Sequence, residues 1–253
     1  MQVEIKDLNL VVDDKEILNN FNLNINRGEI HTIMGPNGVG KSSLSKVLMG
    51  YPDYNILSGD ILVDSNSILD KEIDERAKLG MFLVYQNPIS IEGITSSELI
   101  KASVDSISNE KKGIYQFILD LEKNQEKLNL KKDILERSFN VGASGGERKK
   151  NEILQILMLK PKFIILDELD SGLDVDSLKI VCDTLNEYLR EFKDTSVLII
   201  THYTRILDYI KPDFVHVMKD GSIVKSGDFN LARLVEKHGY NQSFDVKDED
   251  FNE

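Results

Sequence analysis

Residues 35–42 read GPNGVGKS. They follow the apolar run Glu29–Met34 and open the helix-prone run Lys41–Met49. A strand that ends in three closely spaced glycines, followed by a helix that begins Lys-Ser-Ser, narrows the choice of fold sharply. The glycines let backbone amides wrap an anion, and the helix N-terminus adds its own positive end. Such a loop belongs at the carboxyl end of a parallel sheet, so an α/β architecture is expected.

The chemistry follows from the residue types. Gly35, Pro36, Asn37, Gly38 and Gly40 form the expected cradle for the phosphates of ATP. Lys41 can reach the β- and γ-phosphates, Ser42 can ligate Mg²⁺, and Ser43 can bond the α-phosphate. A second signal lies at residues 163–168, FIILDE, an apolar strand ending in two carboxylates. Asp167 is placed to hold Mg²⁺ through water, and Glu168 to orient and deprotonate the attacking water. A third is SGGE at 144–147, directly before the helix Arg148–Lys160. Ser144 is a natural N-cap, and Gly145 and Gly146 make an anion-binding nest. One chain cannot bring this nest and the Gly35–Ser42 loop to the same phosphate if they are far apart. A head-to-tail dimer can.

The rest of the chain supports an alternating pattern. Strands are expected at Val3–Ile5, Leu8–Val12, Ile17–Ile25 and Glu29–Met34, with a turn at Asp13–Asp14. Further strands are expected at Asp60–Val63, Gly80–Val84, Lys162–Leu166 and Ser196–Ile200. Asp220–Gly221 marks a hairpin between Asp213–Met218 and Ser222–Lys225, and helices are expected at Asp176–Phe192 and Leu231–His238. Antiparallel pieces at the two ends point to a mixed second sheet. Residues 87–142 are helix-prone and rich in charge, and read as an inserted lobe with a solvated face. The tail DVKDEDFNE is acidic and expected to fray.

Composition narrows the class. With 253 residues and 41% hydrophobic content the chain can bury a large core. A net charge of -12 argues against nucleic acid or anionic membrane as the partner. The single cysteine, Cys182, sits in an apolar-periodic helix and reads as core. No apolar run is long enough to span a membrane, and no signal peptide is visible.

The order GPNGVGKS, Gln86 after an apolar strand, SGGE, ILDE, SGLD and His202 after VLIIT is similar to that of the ATP-binding cassette ATPases. The resemblance covers nearly the whole chain. It implies a P-loop NTPase with a RecA-like core, an antiparallel β-subdomain and an inserted helical subdomain. The core would take 1–86 and 147–253, and the helical subdomain about 87–146. It implies that Gln86 senses Mg²⁺ and γ-phosphate, that Asp174 crosses the dimer interface, and that His202 contacts the γ-phosphate. Lys41, Glu168 and His202 are then the catalytic set. Ser42, Gln86 and Asp167 surround Mg²⁺, and Ser144, Gly145, Gly146 and Glu147 cap the partner's ATP. Two departures stand out. Ala143 and Glu147 replace the outer residues of the usual LSGGQ. The stretch that normally carries an adenine-stacking aromatic reads Leu10-Val11-Val12, so the base is expected on an aliphatic surface.

Within the family, residues 144–155, 166–179, 201–217 and 223–240 are similar to the ATPase subunits of the SUF iron–sulfur cluster assembly system, the SufC group. That resemblance implies a soluble complex of two such subunits with SufB and SufD. The location would be the cytoplasm, or a plastid- or apicoplast-type organelle after loss of a transit peptide. Alternatives are the nucleotide-binding subunit of a membrane transporter, or a module that binds nucleotide without hydrolysis. Lys149 and Lys150 open the helix after the nest. They read as exposed, or as candidates to pair with Glu168 and restrain it in a resting subunit. Alone, the chain is expected to be a monomer or weak dimer, because two subunits of net charge -12 repel.

Overall fold

The computed structural model describes residues 1–107 and 113–242. The expected acidic tail, 245–253, lies outside the described residues. In chain order come β1 (Val3–Val12), β2 (Lys15–Ile25), β3 (Ile30–Met34), α1 (Lys41–Leu48), β4 (Asn55–Val63), β5 (Asn66–Ser67), α2 (Ile73–Leu79) and β6 (Met81–Val84). Then follow α3 (Ser96–Ile107), α4 (Ile114–Lys127), α5 (Asp133–Glu136), α6 (Gly145–Leu159), β7 (Phe163–Asp167) and α7 (Val175–Glu191). The chain continues through β8 (Ser196–Ile200), α8 (Arg205–Tyr209), β9 (Phe214–Lys219), β10 (Ser222–Gly227) and α9 (Phe229–Gln242).

Among the described residues the strands form two sheets. One has the order β10-β9-β3-β8-β7-β6, and the other β2-β1-β4-β5. In the first, β9, β3, β8, β7 and β6 run parallel, and β10 joins β9 antiparallel. The expectation of a mixed second sheet is therefore corrected. The C-terminal hairpin extends the parallel sheet and makes that sheet mixed, while the N-terminal strands make a purely antiparallel sheet. Hairpin patterns in sequence tell which strands neighbour each other, but not which sheet they join.

Local sequence explains these elements. Asp13 and Asp14 both take left-handed backbone angles, φ 49° and 59°, and form a two-residue connection between β1 and β2. Asp220 and Gly221 do the same between β9 and β10. Central strands β7 and β8 are buried at every residue. Phe163 and Ile165 face the core shared with α1 and the antiparallel sheet, while Ile164 and Leu166 face the core shared with α6 and α7. This two-sided burial accounts for a continuous apolar run with no polar alternation. Helices α3–α5 occupy much of the stretch between β6 and α6, but 87–95 is loop rather than helix. Helix α2 has a capping box formed by Glu72 and Glu75.

Candidate functional site

The loop Gly35–Ser42 joins the carboxyl end of β3 to α1. Gly40 caps α1 at φ 104°, and a Cβ there would stand 2.9 Å from the Ile17 carbonyl oxygen, so only glycine fits. Gly38, at φ 84°, has no heavy atom within 4 Å of a Cβ position, so the cradle is open on that side. Lys41 is buried, and its Nζ donates to the carbonyls of Gly35 at 2.7 Å and Pro36 at 2.8 Å. Burial lowers its pKa, and the charges of Glu168 and Asp167 oppose that shift. The ammonium is thus poised inside the loop with two carboxylates nearby.

Asp167 ends β7 beside α1. Ser42 Oγ donates to Asp167 Oδ1 at 3.3 Å, and Ser45 Oγ donates to Oδ2 at 2.9 Å. Burial raises the Asp167 pKa, opposed by these two hydroxyls. Ser45 was not foreseen, although it lies one helical turn after Ser42 on the same face of α1. The Ser42 hydroxyl and Asp167 carboxylate form an oxygen donor set of the kind hard divalent cations take, at the mouth of an open cradle. These residues fit Mg²⁺.

Glu168 is the next residue and has φ 46°, unusual for a side chain of its size. Its backbone N–H donates to Ile200 O at 2.9 Å, and its carbonyl accepts from Ser171 N at 3.0 Å. The chain reverses here, and that turn aims the carboxylate toward the loop. Gln86 Nε2 donates to Glu168 Oε2 at 2.5 Å, and His202 Nδ1 lies 3.3 Å from Oε1. The latter is close enough for an ion pair but too poorly aligned for a hydrogen bond. Three residues read from separate strand ends, β6, β7 and β8, therefore meet around one carboxylate. Together with Asn37, Lys41 and Ser42 they line a cavity of about 430 Å³.

Ile17, on β2, also lines this cavity. The aliphatic base surface was expected at Leu10–Val12, but Leu10 is fully buried in the antiparallel sheet. Val11 and Val12 are half-buried, while β2 places Ile17 beside Gly40. Register across the hairpin brings Ile17 to the cavity, and register is not visible in a single sequence.

The SGGE segment is built differently. Ser144 caps α6, its Oγ accepting from Glu147 N at 3.2 Å, while Glu147 Oε2 accepts from Ser144 N at 2.9 Å. That capping box accepts Glu or Gln at the fourth place, which gives the Glu147 departure a structural reason. Asp174 caps α7, and its Oδ1 accepts from Ser177 N at 2.7 Å. Gly145 and Gly146 pack beside Gly172, Leu173 and Ser177. These residues therefore lie together, but none of Ser144–Glu147 or Asp174 lines the cavity of their own chain.

Lys149 and Lys150 require a correction. Neither is exposed: both are buried, Lys149 almost fully. Lys149 Nζ donates to the Tyr85 carbonyl and lies 4.0 Å from Glu152 Oε2, and it does not pair with Glu168. The basic spacing of a helix start gave no sign that these two stems point inward.

The model of the family described as ABC transporter matches residues 18–171, more than half of the chain. The chain is 50% identical over 240 residues to a probable ABC transporter ATP-binding protein of Streptococcus pyogenes serotype M18, covering 94% of this chain and 93% of that protein. It is 48% identical over 244 residues to the probable ATP-dependent transporter ycf16 of Pyropia yezoensis, covering 94% and 96%. Its fold is similar to the dimeric, post-hydrolysis ATP-binding cassette MJ0796 bound to ADP and phosphate, with TM-score 0.78 at 21% identity, covering 90% and 98%. The loop, the acidic strand end and the family match agree, and the chain belongs to the ABC transporter ATP-binding family as an ATP-binding and ATP-hydrolysing cassette.

Proposed function

We propose that this chain is the Mg-ATP-driven motor subunit of a SUF-type iron–sulfur cluster assembly complex. In this reading it works as SufC does, two copies serving a SufB–SufD pair. The observation that carries the hydrolytic part is the Glu168 carboxylate, held by Gln86 and flanked by His202 on the cavity wall. The amides of Gly38–Lys41 and the Lys41 ammonium bind the phosphates. Ser42, Asp167 and Gln86 would hold Mg²⁺, which would supply charge neutralisation for the phosphates. Ser43 bonds the α-phosphate. Glu168 takes the proton of the attacking water, and His202 steadies the γ-phosphate.

Two copies meet head to tail. The Ser144–Glu147 nest and Asp174 of one reach the nucleotide of the other, because neither serves its own cavity. Closure of the pair then moves the inserted lobe and whatever it holds. Two features, one where that lobe meets the core and one on the lobe itself, support a protein partner. An apolar groove of about 290 Å³ lies beside Tyr85, between Met81, Ile89 and Leu99. Ile114, Tyr115, Ile118 and Leu119 leave an apolar stripe exposed on α4.

The SUF assignment rests on the resemblance through 144–240, which extends beyond the nucleotide motifs. The printed names of the relatives favour a second reading, the ATP-binding subunit of a membrane transporter. No helix among the described residues is long and apolar enough to cross a membrane. A pull-down under reducing conditions with mass spectrometry distinguishes the two. A SufB–SufD-type pair is expected, and a polytopic membrane protein would overturn the SUF reading.

A further inference from the structure

Tyr85 stands directly before Gln86 at the end of β6. Its backbone is gripped from both sides by one face of α6. The Tyr85 N–H donates to Glu152 Oε1 at 2.9 Å, and its carbonyl accepts from Lys149 Nζ. Lys149 and Glu152 are one turn apart, and their side chains are 2% and 5% exposed. The Tyr85 hydroxyl lies 2.5 Å from that of Tyr51, which pins the ring as well. Backbone and ring are thus fixed, and the next side chain, Gln86, holds Glu168.

A lysine and a glutamate buried this deeply are a poor choice for stability alone. Desolvating the two charges offsets most of their attraction, and apolar residues of similar size serve a core as well or better. Here each charged head satisfies one half of a backbone unit that β6 leaves open. Their second observable property is position. Both sit within the first two turns of the helix that begins at Gly145, so any tilt of that helix moves Tyr85 with it.

We infer that Lys149 and Glu152 are positioning residues for hydrolysis, locking the Tyr85 backbone to the signature helix so that the pose of α6 sets how Gln86 presents Glu168. An anion seated at the Ser144–Glu147 nest would then be felt at the catalytic carboxylate of the same chain through three contacts. This rests on the proposed roles of Gln86 and Glu168. It differs from a direct restraint of Glu168 by lysine, since Lys149 acts on the backbone two contacts away.

The test compares steady-state MgATP turnover, ATP KM and thermal midpoint for the parent, K149M, E152L, E152Q, the double variant K149M/E152L, and E168Q. The expected result is a kcat fall of roughly tenfold or more for K149M and E152L, with KM within about twofold. E152Q keeps an acceptor for the Tyr85 N–H, so it should recover most of kcat while losing thermal stability, because Lys149 is left without its counter-charge. The double variant leaves no unpaired buried charge, so it should fold and still show the low kcat. Parent-like kcat in the folded double variant would overturn the inference, as would an E152Q kcat as low as that of E152L. E168Q separates the two levels. If it hydrolyses ATP as fast as the parent, the catalytic assignment itself fails. If it is inactive while the double variant is fully active, only the coupling fails.

Discussion

The phosphate loop and the SGGE segment are both glycine-rich helix starts, yet the protein treats them differently. At the loop, Gly38 is left open, Lys41 is folded in ready, and three strand ends deliver Gln86, Glu168 and His202 to one cavity. At SGGE, polar groups are occupied locally: Ser144 and Glu147 cap one another, and Asp174 caps α7. The first region is a site waiting for a ligand. The second is a locally satisfied surface that, in the proposed head-to-tail pair, would face the nucleotide of the other copy. Identical local physics, amides at a helix N-terminus, thus supports two roles, and the surroundings decide which.

The largest effect should come from the loop side. Glu168→Gln keeps the shape but removes the base, so kcat should fall by about 10²–10⁴-fold with ATP still bound. Rapid-quench turnover beside equilibrium ATP binding checks this, and loss of both together would mean Glu168 is needed for the cradle rather than for the chemistry.

A control lies at the other end of β3, away from both regions. His31 Nδ1 meets His216 Nε2 at 2.9 Å, and this buried pair is flanked in a row by the half-buried Glu29 and the exposed Ser226. Burial pushes the His216 pKa down to about 4. The unfolded chain, near the ordinary 6.5, binds the proton more readily, so His216 favours the fold fully above pH 6.5. That contribution declines as pH falls from 6.5 toward 4 and is worth on the order of 3 kcal/mol. Urea unfolding of the parent and His216→Asn between pH 7.5 and 4 should show the stability difference shrinking by that order. A constant difference would show that the row is not held neutral. ATP affinity at pH 7.5 should be the same in both, since the row touches neither region.

The smallest effect separates the two duties of Asp174. Asp174→Ala loses the cap on α7 and should lower the thermal midpoint by about 3 °C, whereas Asp174→Asn retains a capping oxygen and should stay within about 1 °C. If both lose turnover equally despite this difference in stability, the charge acts across the interface. If Asn behaves as the parent in every respect, Asp174 is a helix cap and no more.

The sequence was most legible where spacing is dictated by chemistry. GPNGVGKS and ILDE announce themselves because a cradle needs glycines and a strand end needs its carboxylates. Lone Gln86 and His202 were readable only through their order relative to these motifs. What was hidden depends on three-dimensional register. Ile17 reaches the cavity because of how β2 crosses Gly40, and the C-terminal hairpin joins the parallel sheet because β9 pairs with β3. Lys149 read as exposed or as a restraint on Glu168, Glu152 drew no reading, and only packing against β6 shows that they bind a backbone. Buried polar groups leave little trace in a pattern of apolar residues.

The comparison of the two glycine-rich helix starts reduces to one mixing measurement. Lys41→Met disables the loop but keeps SGGE, and Gly146→Asp disables SGGE but keeps the loop. Each alone should hydrolyse ATP at well under a tenth of the parent rate. Mixed at equal concentrations, under conditions where the parent turns over, they should regain a substantial part of it, because each pair then contains one intact loop facing one intact nest. A mixture no faster than the sum of its parts would contradict the account and place the whole site within one chain.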